Sequence, residues 1–275
     1  MKTRFLHKAG ISPGILRRQI CAELVDLLGV ASEWMVTRGK AWNWNRSYPR
    51  MTAYRQALYR LRRDGLIARR DPRAGSPTME LTSEGRRHIS VEIMPERFWN
   101  QRWDGRWYIL MYDVPERERR YRDALNRFLK RMRMGCLQKS VFVSVRDIRP
   151  LFYDLDIAAA VAEYANLFEA RTVLGQSDAA VVARAWDFDR LRKIQGKYLE
   201  VCQARLRRPF DAISFSALLD ALCAELADYR EALRSDPLLP KPLWPSDYLG
   251  PQVAAMFRRR MRHLAGWIFG RGHNK

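Results

Sequence analysis

An apolar, β-rich run in the middle of the chain ends at a proline and is followed directly by an amphipathic stretch. Residues 106–114 read RWYILMYDV, with the composition and alternation of a strand. Pro115 ends the run, and residues 116–134 place apolar side chains at helical spacing. A strand that passes at once into a helix limits this part of the chain to mixed α and β folds.

Further strand and helix signals follow in the order of an α/β-plait. Residues 137–145 predict a strand, residues 151–164 a second helix and residues 167–173 another strand. This order predicts a ferredoxin-like domain at residues 96–180, with helices on one face of an antiparallel sheet. Basic side chains on its first helix could contact DNA, a phosphorylated ligand or only water: Arg119, Arg122, Arg127, Lys130 and Arg133.

The first 95 residues predict a winged helix-turn-helix. Residues 15–30 have the apolar spacing of an amphipathic helix, and a second helix runs from Met51 until Gly65 stops it. Two short strand-like pieces then flank a turn at residues 71–77, as in a wing. The outward face of the second helix and the wing supply the predicted DNA contacts: Thr52, Arg55, Gln56, Tyr59, Arg60, Arg63, Arg69, Arg70 and Arg73.

The charge of the chain predicts a polyanionic partner. The chain carries 50 Lys and Arg against 30 Asp and Glu, a formal net charge of +20. Residues 1–95 hold 18 basic and 8 acidic side chains, so the excess is greatest in the predicted reader. We therefore predict double-stranded DNA as the partner, with bases read by Arg55, Gln56, Tyr59 and Arg60 and the remaining arginines on phosphates.

The last third of the chain predicts helices. Helical spacing covers residues 188–206, 215–233 and 253–267, and Asp187 is placed to cap the first of these helices. Five prolines between residues 236 and 251 favour an extended connector. The whole chain is therefore predicted to be α+β, with a helical effector-sensing and dimerisation domain at residues 181–275.

Catalytic, metal and membrane signals are missing from the sequence. The four cysteines form no CxxC pair, and the four histidines have no partner at metal-ligand spacing. There is no Walker loop, GxSxG elbow or dinucleotide fingerprint, and no apolar run of membrane-spanning length. We expect a cytoplasmic protein that is not an enzyme and has no cofactor or metal.

Five collinear segments resemble the PaaX-type repressors of phenylacetate catabolism. They are WDGRW (103–107), YDVPE (112–116), GCLQKSVFVS (135–144), VVARAWDFDRL (181–191) and DPLLPKPLWPSDYLG (236–250). The resemblance implies a winged-helix reader, a ferredoxin-like middle domain and a helical carboxyl-terminal domain in a dimeric repressor. Some members release DNA when they bind an aryl-CoA thioester.

Three residues near the junction of the first two predicted domains are the ligand-binding candidates. Trp103 and Trp107 could contact an acyl group and Arg106 could contact CoA phosphates, although a buried core position is the alternative for both tryptophans.

The middle domain also resembles the small CRISPR adaptation nuclease, through the strand that ends in Tyr-Asp and the later SVF strand. In that family the aspartate that matches Asp113 can help to bind a divalent metal at a dimer interface. A metal-dependent nuclease, or a defence-associated nucleic-acid-binding protein, is therefore the alternative function. The alternative for Asp113 is that it ends a strand and caps the next helix.

Overall fold

The computed structural model describes residues 51–70, 78–89, 92–151, 164–171, 175–207 and 215–270. The chain divides into two compact units. Unit 1 comprises Met1–Met94, Phe210–Ala224 and Leu264–Lys275, and unit 2 comprises Pro95–Pro209 and Glu225–His263. The helix predicted at residues 15–30 lies outside the described residues. No helix in the described part of the chain is long and apolar enough to cross a bilayer.

The described helices and strands follow one another in mixed order. The helices are α1 (Met51–Arg63), α2 (Ser83–Arg87), α3 (Glu96–Trp99), α4 (Arg119–Arg131), α5 (Asp178–Ala185), α6 (Phe188–Arg207), α7 (Phe215–Arg234) and α8 (Gly250–Gly270). The strands are β1 (Ile67–Arg70), β2 (Thr78–Leu81), β3 (Trp107–Tyr112), β4 (Gly135–Gln138), β5 (Val141–Ser144) and β6 (Ala165–Ala170). Helices α7 and α8 each have residues in both units.

In unit 1, helix α1 leads into an antiparallel hairpin. The helix ends at Gly65, whose φ of 70° is a left-handed conformation that glycine adopts without steric cost. Strands β1 and β2 then pair from Ile67 opposite Leu81 to Arg70 opposite Thr78. Ile67 and Leu81 are buried, so the hairpin has an apolar side as well as a basic sequence.

Threonine 82 joins the hairpin to helix α2. Its hydroxyl donates to the carbonyl oxygen of Gly65 at 2.7 Å and accepts from the amide of Gly85 at 3.0 Å, so it caps α2. Gly85 is buried against the backbone of Leu66, where a Cβ on residue 85 would lie 1.9 Å from the Leu66 carbonyl oxygen. Glycine is therefore required for this close approach.

In unit 2, four antiparallel strands form a sheet in the order β4-β5-β3-β6. If the four strands are numbered 1 to 4 along the chain, their order across the sheet is 2-3-1-4. This is the strand order of a ferredoxin-like plait, so the predicted fold of the middle domain is confirmed. Two predicted strands differ from the structure: β6 spans Ala165–Ala170 where residues 167–173 were expected, and residues 137–145 were expected to form a single strand. Lys139 and Ser140 instead form a two-residue turn between β4 and β5.

The two faces of this sheet carry separate cores. Leu110, Tyr112 and Phe142 point to one face and pack with Leu125 and Leu129 of α4. Neighbouring residues of the same strands, Trp107 and Val143, point to the other face because side chains alternate along a strand. There they pack with Val181, Val182 and Ala185 of α5 and with Leu239 and Leu243, which follow α7.

Helices α6, α7 and α8 contribute a polar cluster to unit 2. Glu225 of α7 is fully buried and accepts from Tyr198 Oη at 2.9 Å, Arg205 Nη1 at 3.0 Å and Arg260 Nε at 3.3 Å. The Cys202 thiol also lies 2.9 Å from Glu225, and burial raises the pKa of that thiol to about 12, so it stays a protonated donor. The buried carboxylate is thus surrounded by donors.

The predicted carboxyl-terminal helices are all present, with small shifts at their ends. Asp187 caps α6 as predicted, since its Oδ1 accepts from the Arg190 amide at 2.9 Å. Helix α5 was not predicted, because its eight residues are too few for a periodic apolar pattern to stand out. Most of the predicted helix at 151–164 lies outside the described residues.

Candidate nucleic-acid interface and ligand sites

Six of the nine predicted DNA contacts lie on α1: Thr52, Arg55, Gln56, Tyr59, Arg60 and Arg63. The last four are spaced so that they share one face of the helix. Gln56 and Arg63 are exposed, Arg60 is half-buried, and the Tyr59 side chain is 69 % exposed although it is large and aromatic. Leu61, by contrast, is buried. The helix therefore has an apolar contact side and a solvent-facing polar side.

The carboxyl end of α1 is basic. Arg60, Arg62 and Arg63 occupy its last turn, and no acidic residue lies in its first turn. Arg63 Nε donates to Asp64 Oδ1 at 2.8 Å, and this bond raises the pKa of Arg63, which stays fully charged. Both groups are largely exposed, so a phosphate could replace Asp64 as the partner at little cost.

The remaining predicted DNA contacts belong to the hairpin. Arg69 and Arg70 lie in β1, at the positions that pair with Met79 and Thr78. Arg73 lies outside the described residues. The strand places two arginines next to the connection between β1 and β2, which is where a wing would carry its basic side chains.

The three predicted ligand contacts lie on or just before β3, in three different environments. Trp107 is fully buried in the core under α5, and its Nε1 donates to Asp178 Oδ1 at 2.9 Å. Trp103 is half-buried against Trp107, with ring centroids 5.4 Å apart. The Arg106 guanidinium donates to Glu169, and its Nε lies 3.3 Å from Asp104 Oδ2. These contacts favour the core alternative for Trp107 and leave Arg106 already paired.

Asp113 follows β3 directly, and its side chain is exposed. Its amide donates to the Tyr164 carbonyl oxygen at 2.9 Å, and helix α4 begins only at Arg119, so Asp113 ends a strand but does not cap that helix. Across the described residues, no three His, Cys, Asp or Glu side chains are grouped as they would be around a metal ion. A two-metal nuclease site needs several converging carboxylates, which this part of the chain does not bring together.

Four of the five basic residues predicted on the first helix of the plait lie on α4, and the fifth, Arg133, does not. Arg119, Arg127 and Lys130 are exposed on α4, whereas Arg122 pairs with exposed Glu116 at 2.8 Å. Arg133 lies beyond the helix, at a φ of 63°. Its guanidinium donates to the carbonyl oxygens of Leu233 at 2.8 Å, Arg234 at 3.2 Å and Asp236.

A second arginine that the sequence analysis did not single out binds the same segment. Arg146 donates to the carbonyl oxygens of Leu238 at 2.5 Å and Pro237 at 3.4 Å, and its guanidinium lies 4.2 Å from the centroid of the Phe98 ring. Burial, together with the nearby charge of Arg133, lowers the pKa of Arg146 to about 10. Arg133 and Arg146 thus act as structural cations, a role with no local sequence signal.

Comparison with known proteins identifies the family. The chain is similar to an uncharacterized protein, Rv0674 from Mycobacterium tuberculosis, at 21 % sequence identity and a TM-score of 0.48. This match covers 78 % of this chain and 81 % of that one. No curated protein matches the sequence significantly. The model of the PaaX protein central Cas2-like domain matches residues 100–182, and that of the PaaX-like protein C-terminal domain matches residues 186–267. Since these adjacent matches cover more than half of its residues, the chain belongs to the PaaX family and has a Cas2-like middle domain.

Proposed function

We propose that this protein is a dimeric transcriptional repressor that binds a specific operator through an amino-terminal winged helix and is released by a small ligand, such as an aryl-CoA thioester. Membership of the PaaX family indicates a transcriptional regulator. The observation that carries the proposal is the order in unit 1: helix α1 with a basic last turn, the β1–β2 hairpin and the short helix α2.

The exposed face of α1 is suited to a major groove. Gln56, Tyr59 and Arg63 present an amide, a phenol and a guanidinium to solvent at helical spacing. Guanidinium and amide groups can make paired hydrogen bonds to guanine and adenine edges, and arginines also bind phosphates. In a dimer, two such helices would read half-sites about 34 Å apart.

The test is binding of the full-length protein to duplex DNA from upstream of its own gene and to a scrambled duplex, across a salt series. We expect Arg55→Ala to reduce discrimination between the duplexes by about 1–3 kcal/mol if Arg55 reads a base. Arg63→Ala should weaken binding to both duplexes and lower the salt slope by about one. Arg234→Ala, an exposed arginine of α7 paired with Glu231, is the matched control and should bind as wild type.

Each part of the proposal has an outcome that would contradict it. Full discrimination in Arg55→Ala would remove that residue from base reading, and equal binding to both duplexes would exclude an operator. Phenylacetyl-CoA should lower the affinity if it is the releasing ligand. Cleavage that needs Mg²⁺ or Mn²⁺ and is lost in Asp113→Ala would support the nuclease instead.

The positions predicted for the ligand remain a prediction. Trp103 has exposed surface, but the burial of Trp107 and the ion pairs of Arg106 leave little there for an acyl chain or a phosphate to contact.

A further inference from the structure

Unit 2 has a cavity of about 510 Å³ on the α4 side of the plait, here called the plait pocket. Its walls come from four places: the last residue of β3 with the two residues that follow it (112–114), one face of α4, Cys136 of β4, and the turn between β4 and β5. Pockets for small molecules usually measure about 300–1,000 Å³, so this one has the size for a nucleotide-sized ligand.

Three cations line the plait pocket. Arg122 and Lys130 lie eight residues apart on α4 with Asn126 between them, which places all three on one helix face. Lys139 faces them from the β4–β5 turn. Asp113 supplies the single carboxylate among the lining residues, so the pocket has an excess of positive charge.

Two of these cations are not neutralised by the described part of the protein. Arg122 has a partner in Glu116, which is itself largely exposed. For Lys130 and Lys139, none of the described carboxylates lies within ion-pair distance. Both ammonium groups line the same cavity, so one bound anion could pair with both of them.

The turn that carries Lys139 is held in place by a buried side chain. Tyr112 is buried, and its hydroxyl donates to the Lys139 carbonyl oxygen at 3.1 Å. Burial raises the pKa of Tyr112, so the phenol remains a donor at neutral pH. The pocket wall is therefore positioned before any ligand arrives, which lowers the entropic cost of binding.

We propose that the plait pocket binds a small phosphate-bearing molecule through Lys130, Lys139 and Arg122. A diphosphate or a nucleotide carries enough charge to satisfy two ammonium groups, whereas a single carboxylate would leave one of them uncompensated. A concave site bordered by a helix, a strand end and a turn suits such a molecule better than the convex backbone of a duplex. That this ligand is the releasing effector rests on the repressor function proposed above; that the pocket binds it does not.

The test uses the full-length protein without DNA, with inorganic pyrophosphate and ADP as probes in the millimolar range. Binding is measured by calorimetry and by the rise in Tm that follows preferential binding to the folded state. The double variant Lys130→Gln/Lys139→Gln removes two charges from the pocket. The double variant Arg120→Gln/Arg127→Gln removes two charges from exposed positions of α4 and is the matched control.

We expect pyrophosphate to bind wild type and the control alike and the pocket variant at least about tenfold more weakly, since a hydrogen bond to a charged group contributes that much or more. Asp113→Asn should bind the anion more tightly, because it removes the one opposing charge. Equal weakening in both double variants would show that the anion is attracted only by the overall positive charge of the protein, which would overturn the proposal. Absence of pyrophosphate binding to wild type would also overturn it. So would stabilisation by Mg²⁺ alone that Asp113→Asn abolishes.

The same variants separate this proposal from the repressor function. If pyrophosphate binds as expected but the operator does not, the pocket stands and the repressor assignment fails. If instead the operator binds and pyrophosphate does not, only the pocket is overturned.

Discussion

At the scale of single residues, burial decides which charged side chains of this protein are structural. Glu225 and the arginines at positions 133 and 146 are enclosed by partners, whereas Tyr59 and Arg63 on α1 face solvent. A buried charge is stable only when donors or acceptors surround it. Side chains that remain exposed are the ones available to bind DNA or a ligand, and this includes Arg63, whose partner Asp64 is itself exposed.

Glu225 provides the clearest test at this scale. Glu225→Gln keeps the volume of the side chain but removes the charge opposite Arg260, whose side chain is only 7 % exposed. We expect the free energy of unfolding, measured in urea, to fall by about 3 kcal/mol, because the buried Arg260 guanidinium would lose its charged acceptor.

The control for this change is Glu231→Gln on the same helix. Glu231 pairs with Arg234 at 3.0 Å, but both side chains are exposed, so the loss should stay below about 1 kcal/mol. Equal losses in the two variants would show that the buried cluster contributes no more than a surface ion pair.

At the scale of elements, close backbone contacts fix how the hairpin of unit 1 meets α2. The Thr82 hydroxyl bridges Gly65 and Gly85, and Gly85 approaches the Leu66 carbonyl too closely for any side chain. The wing candidate is thus attached to the end of α1 by hydrogen bonds as well as by buried leucine and isoleucine side chains.

Gly85→Ala tests this attachment. The new Cβ would lie 1.9 Å from a backbone oxygen, so the backbone of Leu66 or α2 must move. Such overpacking costs about 1–3 kcal/mol. We expect faster amide hydrogen exchange at residues 66–68 and 79–89 and a lower Tm than in Ser83→Ala, an exposed change on the same helix. Unchanged exchange at these amides would mean that the contact is not a constraint.

At the scale of the whole molecule, the chain divides into two compact units, and the second of these is held together by contacts between the plait and the helices that follow it. Unit 2 contains the plait and most of the carboxyl-terminal helices, and Arg133 and Arg146 bind carbonyl oxygens of residues 233–238 from the plait side. The core under α5 likewise includes Leu239 and Leu243. We therefore expect unit 2 to unfold as one body.

Arg133→Ala tests this coupling. Alanine keeps a Cβ, and with it the strain of the positive φ, so the change leaves the backbone conformation in place and removes the side-chain hydrogen bonds to the carbonyl oxygens of Leu233 and Arg234. We expect a loss of about 2 kcal/mol in the free energy of unfolding, because charge-assisted hydrogen bonds to part-buried carbonyl oxygens are lost. Amide hydrogen exchange in β3, β5 and α6, all of which belong to unit 2, should still report one shared opening.

Arg127→Ala, exposed on α4, is the matched control and should leave the stability of unit 2 nearly unchanged. Different opening free energies for the plait strands and for α6, in wild type or in Arg133→Ala, would show that these parts of unit 2 unfold independently.

The sequence by itself determined the longer described elements and the family. Alternation and helical spacing are local properties, so β3, α4, α6, α7 and α8 could be predicted within a few residues, and collinear motifs identified the PaaX relationship. The hairpin of β4 and β5 was missed, because a two-residue Lys-Ser turn carries neither glycine nor proline.

Only the tertiary structure decided which of the many arginines and lysines bind other parts of the protein and which face solvent or the plait pocket. In the sequence, Arg122, Lys130 and Arg133 look alike. In the fold, the first two line the same pocket as Lys139, whereas Arg133 binds the Leu233 carbonyl oxygen near the end of α7, a hundred residues along the chain. Partners of this kind are distant along the chain, so no local pattern can encode them. The plait pocket and the burial of Trp107 follow from strand pairing and packing, which become visible only when the chain is folded.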